Sequence, residues 1–234
     1  MQQHASYTRD RVAQLVERLK VRIYPQILEV EDLQISPPVE RISWKEAQGL
    51  DYQPVRPGRQ LGPAWATFWF RGRIEVPRDW AGWRVDLLWD SHSEATLWLD
   101  GRSVGGLNPG RGEVPLQPVQ GGETLEFQVE MACNSLFGLS GRHYRSIEPY
   151  VLDRCSLGRF DPAAWELYYD LQVLCELERE EDLDRDWRGK LLFELNRVAN
   201  LLDEERWTAQ PYAGGSGPVP LKGREIFARL ALSF

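Results

Sequence analysis

The sequence is poor in the residues on which much familiar protein chemistry depends. It has three cysteines (Cys133, Cys155, Cys175), three histidines (His4, His92, His143) and two methionines in 234 residues. An odd count of widely spaced cysteines is no secreted disulfide framework, and without a Cys-x-x-Cys pair there is no thiolate clamp for zinc. Free thiols are expected, and Cys133, which follows an apolar strand with no histidine near in sequence, reads as inert. No Asn-x-Ser/Thr acceptor for glycan occurs. No apolar run approaches the ~18 residues of a spanning helix, and residues 1–22 are charged and amphipathic rather than signal-like. The expectation is a cytoplasmic chain with no membrane partner. Positive charge is also scarce: 28 Lys+Arg against 35 Asp+Glu leave a net charge of −7. A nucleic-acid partner is excluded with it, since backbone binding needs a basic face.

What the sequence does have is tryptophan, ten in all, seven of them between Trp44 and Trp98. Trp supplies a large apolar surface with a single donor. Such a cluster means either a heavy core or a set of stacking platforms for flat ligands such as sugar rings, with Trp65, Trp69, Trp80, Trp83 and Trp98 as the rings in question.

The hydrophobic period changes twice along the chain. Residues 9–24 carry Val12, Leu15, Val16, Leu19 and Ile23 on one helical face, stopped by Pro25, which predicts an N-terminal docking helix within residues 1–33. Residues 34–63 are broken by Pro37, Pro38, Pro54, Pro57 and Pro63, and read as an extended linker with one short strand near residues 39–44. From Ala64 the period is two. Segments 65–76, 84–89, 94–99, 124–131 and 148–155 are short, aromatic or β-branched and separated by turn residues, the pattern of an antiparallel β-sandwich of jelly-roll type over residues 34–158. Asp100-Gly101 between two apolar runs marks a tight hairpin. Trp69, Phe70, Leu88 and Trp98, with Leu125 and Phe127, are expected to pack between the two sheets.

After Cys155 the helical period returns. Asp161-Pro162 is a cap followed by proline at the first helical position, and apolar residues from Trp165 to Leu177 cover more than one face, which predicts a helix buried on two sides. A second helix near residues 186–202 completes a C-terminal helical pair over residues 159–206. Residues 207–234, rich in Gly and Pro before a short apolar tract, read as a poorly ordered or loosely docked tail.

Two clusters invite a functional reading. Asp90, Ser91, His92 and Glu94 crowd one turn, which suits acid/base or metal chemistry. The plainer reading, and the favoured one, is a turn in which Asp90 and Ser91 bond backbone N–H groups while Glu94 begins the next strand. Asn134-Ser-Leu-Phe137-Gly138 follows a strand, polar and then apolar, fit either for a plain turn or for contact with a neighbouring domain. Asp90, Glu94, Asn134 and Phe137 therefore join Trp65, Trp69 and Trp98 as candidates for carbohydrate binding or domain docking.

Four segments in order, Leu61-Gly-Pro-Ala-Trp-Ala-Thr-Phe-Trp-Phe70, the run from Leu87 to Gly101, Glu130-Met-Ala-Cys-Asn-Ser-Leu-Phe-Gly138, and Phe160-Asp-Pro-Ala-Ala-Trp-Glu-Leu-Tyr-Tyr-Asp-Leu171, resemble the N-terminal region of family 38 glycoside hydrolases of the cytosolic α-mannosidase type. The resemblance covers roughly residues 15–202. It implies a zinc-dependent retaining α-mannosidase much longer than this chain, whose β-sandwich and helical N-terminal region precedes a β/α catalytic barrel. In that family zinc is held by a His-x-Asp motif with a further Asp and His, all downstream of the segments matched here. None of the three histidines stands two residues before an Asp. Nor can the carboxylate pair of a retaining mechanism, about 5 Å apart, be placed here, since the family carries it on the barrel.

The resemblance thus implies a non-catalytic N-terminal region with no cofactor of its own, inactive alone, serving as scaffold for a catalytic domain that meets mannose-containing glycans. The residues leave two other readings open, a stand-alone carbohydrate-binding sandwich and an oligomerisation module forming a homo-oligomer. The loss of family pattern after Arg206 is expected to mark a frame disruption or truncation near Trp207.

Overall fold

The structure, a computed structural model, describes residues 5–116, 118–134, 150–182 and 184–207, the last five by backbone only. Phe137 and the tail from residue 208 lie outside the described residues. The chain divides into two compact units, one of residues 18–168 and one built from residues 1–17 with 169–234.

In chain order the elements are α1 (Ala5–Arg22), β1 (Gln26–Glu29), β2 (Asp32–Ile35), α2 (Trp44–Ala47), β3 (Gln53–Pro54), β4 (Arg59–Leu61), β5 (Thr67–Glu75), β6 (Val85–Asp90), β7 (Glu94–Leu99), β8 (Arg102–Leu107), β9 (Glu113–Pro115), β10 (Thr124–Ala132), β11 (Tyr150–Leu152), β12 (Arg154–Arg159), α3 (Pro162–Arg179) and α4 (Arg185–Trp207). The strands make a four-stranded sheet in the order β1-β12-β6-β9, a six-stranded sheet β3-β2-β5-β10-β7-β8, and the pair β11-β4. Every pairing is antiparallel. This is the expected jelly-roll sandwich with flanking helices. The sheets reach beyond residues 34–158 at both ends, taking in β1, the start of β2 and the end of β12.

The period-two pattern explains the core. Phe68, Phe70 and Ile74 of β5, Leu97 of β7 and Phe127, Val129 and Met131 of β10 meet Val85, Leu87 and Trp89 of β6 and Cys155 and Leu157 of β12 in one buried cluster. Leu125 packs at its margin. Burial pushes the Cys155 thiol up from its ordinary range, which fits an inert core cysteine. The hairpin also forms as expected: Asp100 (φ 48°) and Gly101 (φ 75°) both take the left-handed conformation that a two-residue turn of this twist demands.

Three expectations need correction. Residues 39–44 form no strand beyond a single bridge from Val39 to Thr67; Ser43 instead caps α2 with a capping box. The Ser43 hydroxyl accepts the Glu46 N–H while the Glu46 carboxylate accepts the Ser43 N–H at 2.7 Å, so two orphan donors are answered at once. The proline-rich stretch is likewise no free linker, because it lies across the outer face of the six-stranded sheet. Ser36 donates its N–H to Trp69 O at 2.8 Å and accepts the Trp69 N–H at 3.0 Å, and Gln48 bonds Gln128. Third, Trp69, Leu88 and Trp98 do not join the inter-sheet cluster that holds Phe70 and Phe127. Trp69 and Leu88 are buried outside it, and Trp98 stands half-buried on the outer face, its ring 5.7 Å from Trp69.

The helical unit buries Val12, Leu15 and Val16 of α1, Leu171 of α3, and Leu191, Leu192, Leu195, Val198 and Ala199 of α4. Arg9 engages the buried Glu178 through two nitrogens, at 2.7 and 2.9 Å. The expectation that α3 is buried on two sides fails: Tyr169, Val173 and Leu177, spaced by four, are 42%, 59% and 41% exposed. No helix among the described residues is long and apolar enough to cross a membrane.

Candidate functional site

The turn between β6 and β7 gathers most of the sequence candidates. Asp90 Oδ1 accepts the His92 N–H at 2.9 Å, and the Asp90 carbonyl accepts the Asp153 N–H at 2.9 Å. Among the described residues Ser91 shows no bond to a backbone N–H, contrary to expectation; its hydroxyl accepts the Trp89 indole N–H at 2.9 Å. His92 holds a left-handed φ of 55° and sets Nε2 2.6 Å from Asp153 Oδ2. The ligand atoms of Asp90, His92 and Asp153 lie within 4.8 Å of one another, a spacing that a cation could use. The imidazole nitrogen nearest Asp153 is already spent on it, however, so the trio as it stands is a hydrogen-bonded turn.

Next to it, the end of β10 is latched. Ser93 Oγ accepts the Asn134 N–H at 3.0 Å and directs its one proton at the carbonyls of Ala132 and Asn134. Asn134 Nδ2 donates to Glu94 Oε2 at 2.7 Å. Glu94 does begin β7, and Asn134 and Glu94 together fix the last described residue before residue 135. Phe137, the remaining member of that candidate set, falls outside the described residues.

The tryptophans separate sharply. Trp69 is fully buried and offers no ring to any ligand. Trp80 is buried too. Trp65 is 61% exposed at a left-handed φ of 71°, and Trp83 is exposed beneath the Arg159 guanidinium, 4.4 Å from its ring. Of these candidate rings Trp98 opens onto a cavity, and its companion there is Trp44, which the sequence did not single out.

That cavity is a groove of about 470 Å³ on the outer face of the six-stranded sheet, walled by Trp44, Trp98, Asp100, Asp32, Arg73 and Glu126. Each indole is held from behind. Trp98 packs on Trp69, and Trp44 lies so close to Gly101 that an added Cβ would stand 3.1 Å from its ring. Arg71 is structural: it donates to Gln48 O at 2.8 Å and lies 3.8 Å above the Tyr52 ring. The Trp98 indole N–H turns toward Glu130 without closing a bond of normal geometry. Burial pushes the Glu130 carboxyl up, against the opposing pull of Trp98 and Arg41. Gln128 accepts from Gln48 at 2.9 Å, and its own Nε2 faces Tyr52 with no bond among the described residues. The signals that could have found this groove are Ser43-Trp-Lys-Glu46, a capping-box sequence, and the alternation Trp69, Arg71, Arg73 on one strand face.

On the four-stranded sheet a second network is purely structural. Buried Asp86 receives Arg84 at 2.8 Å through each of two nitrogens and the Tyr24 hydroxyl at 2.7 Å. Burial above all, and then Asp86, push the Tyr24 phenol well above its ordinary range.

Residues 26–172 match the protein family described as the α-mannosidase jelly-roll domain, Ams1-like. Among curated proteins, the chain is 31% identical over 182 residues to α-mannosidase G of Dictyostelium discoideum, covering 74% of this chain and 17% of that protein. It is 31% identical over 184 residues to human α-mannosidase 2C1, covering 74% and 18%, and 26% identical over 224 residues to the α-mannosidase of Saccharomyces cerevisiae, covering 84% and 19%. The chain thus spans less than a fifth of the length of the curated relatives it matches. Solved structures of Ruminococcus gnavus β-glucuronidase align at 13% identity with a TM-score of 0.39, over 56% of this chain and 28% of theirs, too distant a likeness to bear on function.

Proposed function

The chain belongs to the Ams1-like α-mannosidase jelly-roll family, and from that premise we propose that it is a non-catalytic scaffold against which the catalytic part of an α-mannosidase docks. In this reading the remainder of the enzyme supplies the zinc and both carboxylates. The whole enzyme removes terminal α-mannosides by the retaining chemistry of family 38, in the cytoplasm.

The observation that carries the docking is on α3, where Val173 and Leu177 are exposed at a spacing that puts both on one helix face. A soluble chain gains nothing from exposing such a pair unless something covers it. The occupant proposed is the remaining four-fifths of the α-mannosidase polypeptide, the portion of its relatives that this chain does not match.

Two results are expected. The purified chain should not hydrolyse an aryl α-mannoside; turnover abolished by a chelator would overturn the non-catalytic reading. Co-expressed with the unmatched portion of the Dictyostelium relative, the chain should co-purify with it, and Val173→Lys, at an exposed site that leaves the helix intact by circular dichroism, should release it. Self-association of the chain alone, lost in the same variant, would replace the scaffold with an oligomerisation module.

A further inference from the structure

We infer that the groove on the outer face of the six-stranded sheet is a binding site for a neutral oligosaccharide, with a pyranose ring against Trp44 and Trp98 and its hydroxyls bonded by Asp32, Asp100 and Arg73. This goes beyond the scaffold reading and does not rest on it.

Four observations support it. The first is chemical: a sugar ring presents one face of C–H groups and a rim of hydroxyls, so its site needs an aromatic surface bordered by planar polar groups. This groove has both on a single sheet face. The second is that the aromatic walls are fixed before any ligand arrives. Trp98 rests on the buried Trp69, and Trp44 is the first residue of a helix locked by its capping box and seated on Gly101. Binding then orders little that is not already ordered.

The third is electrostatic. Asp32, Asp100 and Glu126 line the groove together with Arg71 and Arg73, and Arg71 is already spent on Gln48 and Tyr52. Carboxylates are therefore in excess, which favours hydroxyl donors and repels uronates or phosphates. The remaining cation is available: Arg73 meets Glu126 only at 3.7 Å, with both side chains mostly exposed. The fourth is a matter of size. About 470 Å³ falls within the ~300–1,000 Å³ of small-ligand sites.

The site is tested on the whole chain by following the indole N–H resonances while mannobiose, maltose and cellobiose are added in turn to roughly 10 mM, a range that reaches weak millimolar affinity. At least one neutral disaccharide should give saturable shifts at Trp44 and Trp98, with Trp65 and Trp83 unmoved, and digalacturonate should not. Trp44→Ala should abolish the response. Should that variant fold poorly, Arg73→Ala and Asp100→Asn serve instead: the first residue is exposed, and Asn keeps the left-handed turn. Each should weaken binding about tenfold, the worth of one hydrogen bond to a charged group. No saturable shift, shifts centred on Trp65 or Trp83, or affinity unchanged in both surface variants would each overturn the proposal.

Discussion

Phe70→Ala should leave little folded sandwich. The ring is fully buried in the middle of β5, with Ile35 of β2 on one side and Val129 of β10 on the other, and it meets Trp89 of the opposite sheet edge-on, centroids 4.9 Å apart. It therefore ties the two sheets directly. Emptying such a site costs about 3–5 kcal/mol, and the lost aromatic pair adds about 0.5–1.5 kcal/mol, out of the ~5–15 kcal/mol that hold an ordinary domain together. At roughly 2–4 °C per kcal/mol for a chain of this size, the thermal midpoint should fall by about 7–26 °C. Near-ultraviolet circular dichroism reports on it directly, because Trp89 loses its neighbour. Trp98→Ala should cost clearly less, since that ring stands half-buried on the outer face and the inter-sheet cluster survives its removal. Equal midpoints for the two variants would show that the division into core and outer face is wrong.

The same contrast explains which parts of the fold are legible in the sequence. The Asp100-Gly101 hairpin is, because two adjacent positive φ values leave few residue choices. The strands β5, β6, β7 and β10 are, because their alternation is strong. What the pattern hides is which side of a strand faces the core. On β5, Phe68 and Phe70 point into the sandwich while Trp69 points out, yet all three are buried, because residues 36–52 close over the outer face. An outward position that is nevertheless covered looks in sequence like an inward one.

The prolines conceal that cover in turn. Pro37, Pro38 and Pro54 signal irregular chain, and irregular chain is easily taken for linker, although its Ser36, Gln48 and Tyr52 are bonded to the sheet or beside it. The turn at Asp90 shows the opposite case. Its role for Asp90 is local and readable, whereas the partner of His92, Asp153, lies 61 residues away and no spacing rule reaches it. The groove needed three such distant pieces, the α2 cap, the hairpin and the β5 face, so only one of its two indoles stood out in the sequence.

Gly72→Val should destabilise the chain although strand propensity says the opposite. Valine is favoured over glycine in a strand interior, on a scale spanning about 1 kcal/mol, and glycine there carries an entropic penalty of similar size. Gly72 lies in β5 directly opposite Phe127 of β10, and a Cβ placed on it would stand 2.1 Å from the tip of that ring and 2.6 Å from its two neighbouring carbons. The ring itself is 4% exposed and packed in the inter-sheet cluster, so it has no free space into which to swing. Forcing bulk into a filled core costs about 1–3 kcal/mol, which exceeds the propensity gain. Gly106→Val in β8 is the matched control: the same substitution in a strand of the same sheet, with nothing within 4 Å of the added Cβ, should be neutral or stabilising. Denaturant midpoints of the two variants should therefore move in opposite directions. In Gly72→Val/Phe127→Ala the valine fills space the ring has left, so the double variant should lose less than the two single losses added, the sign of direct contact. Strict additivity would mean that the ring does not lie over Gly72 at all.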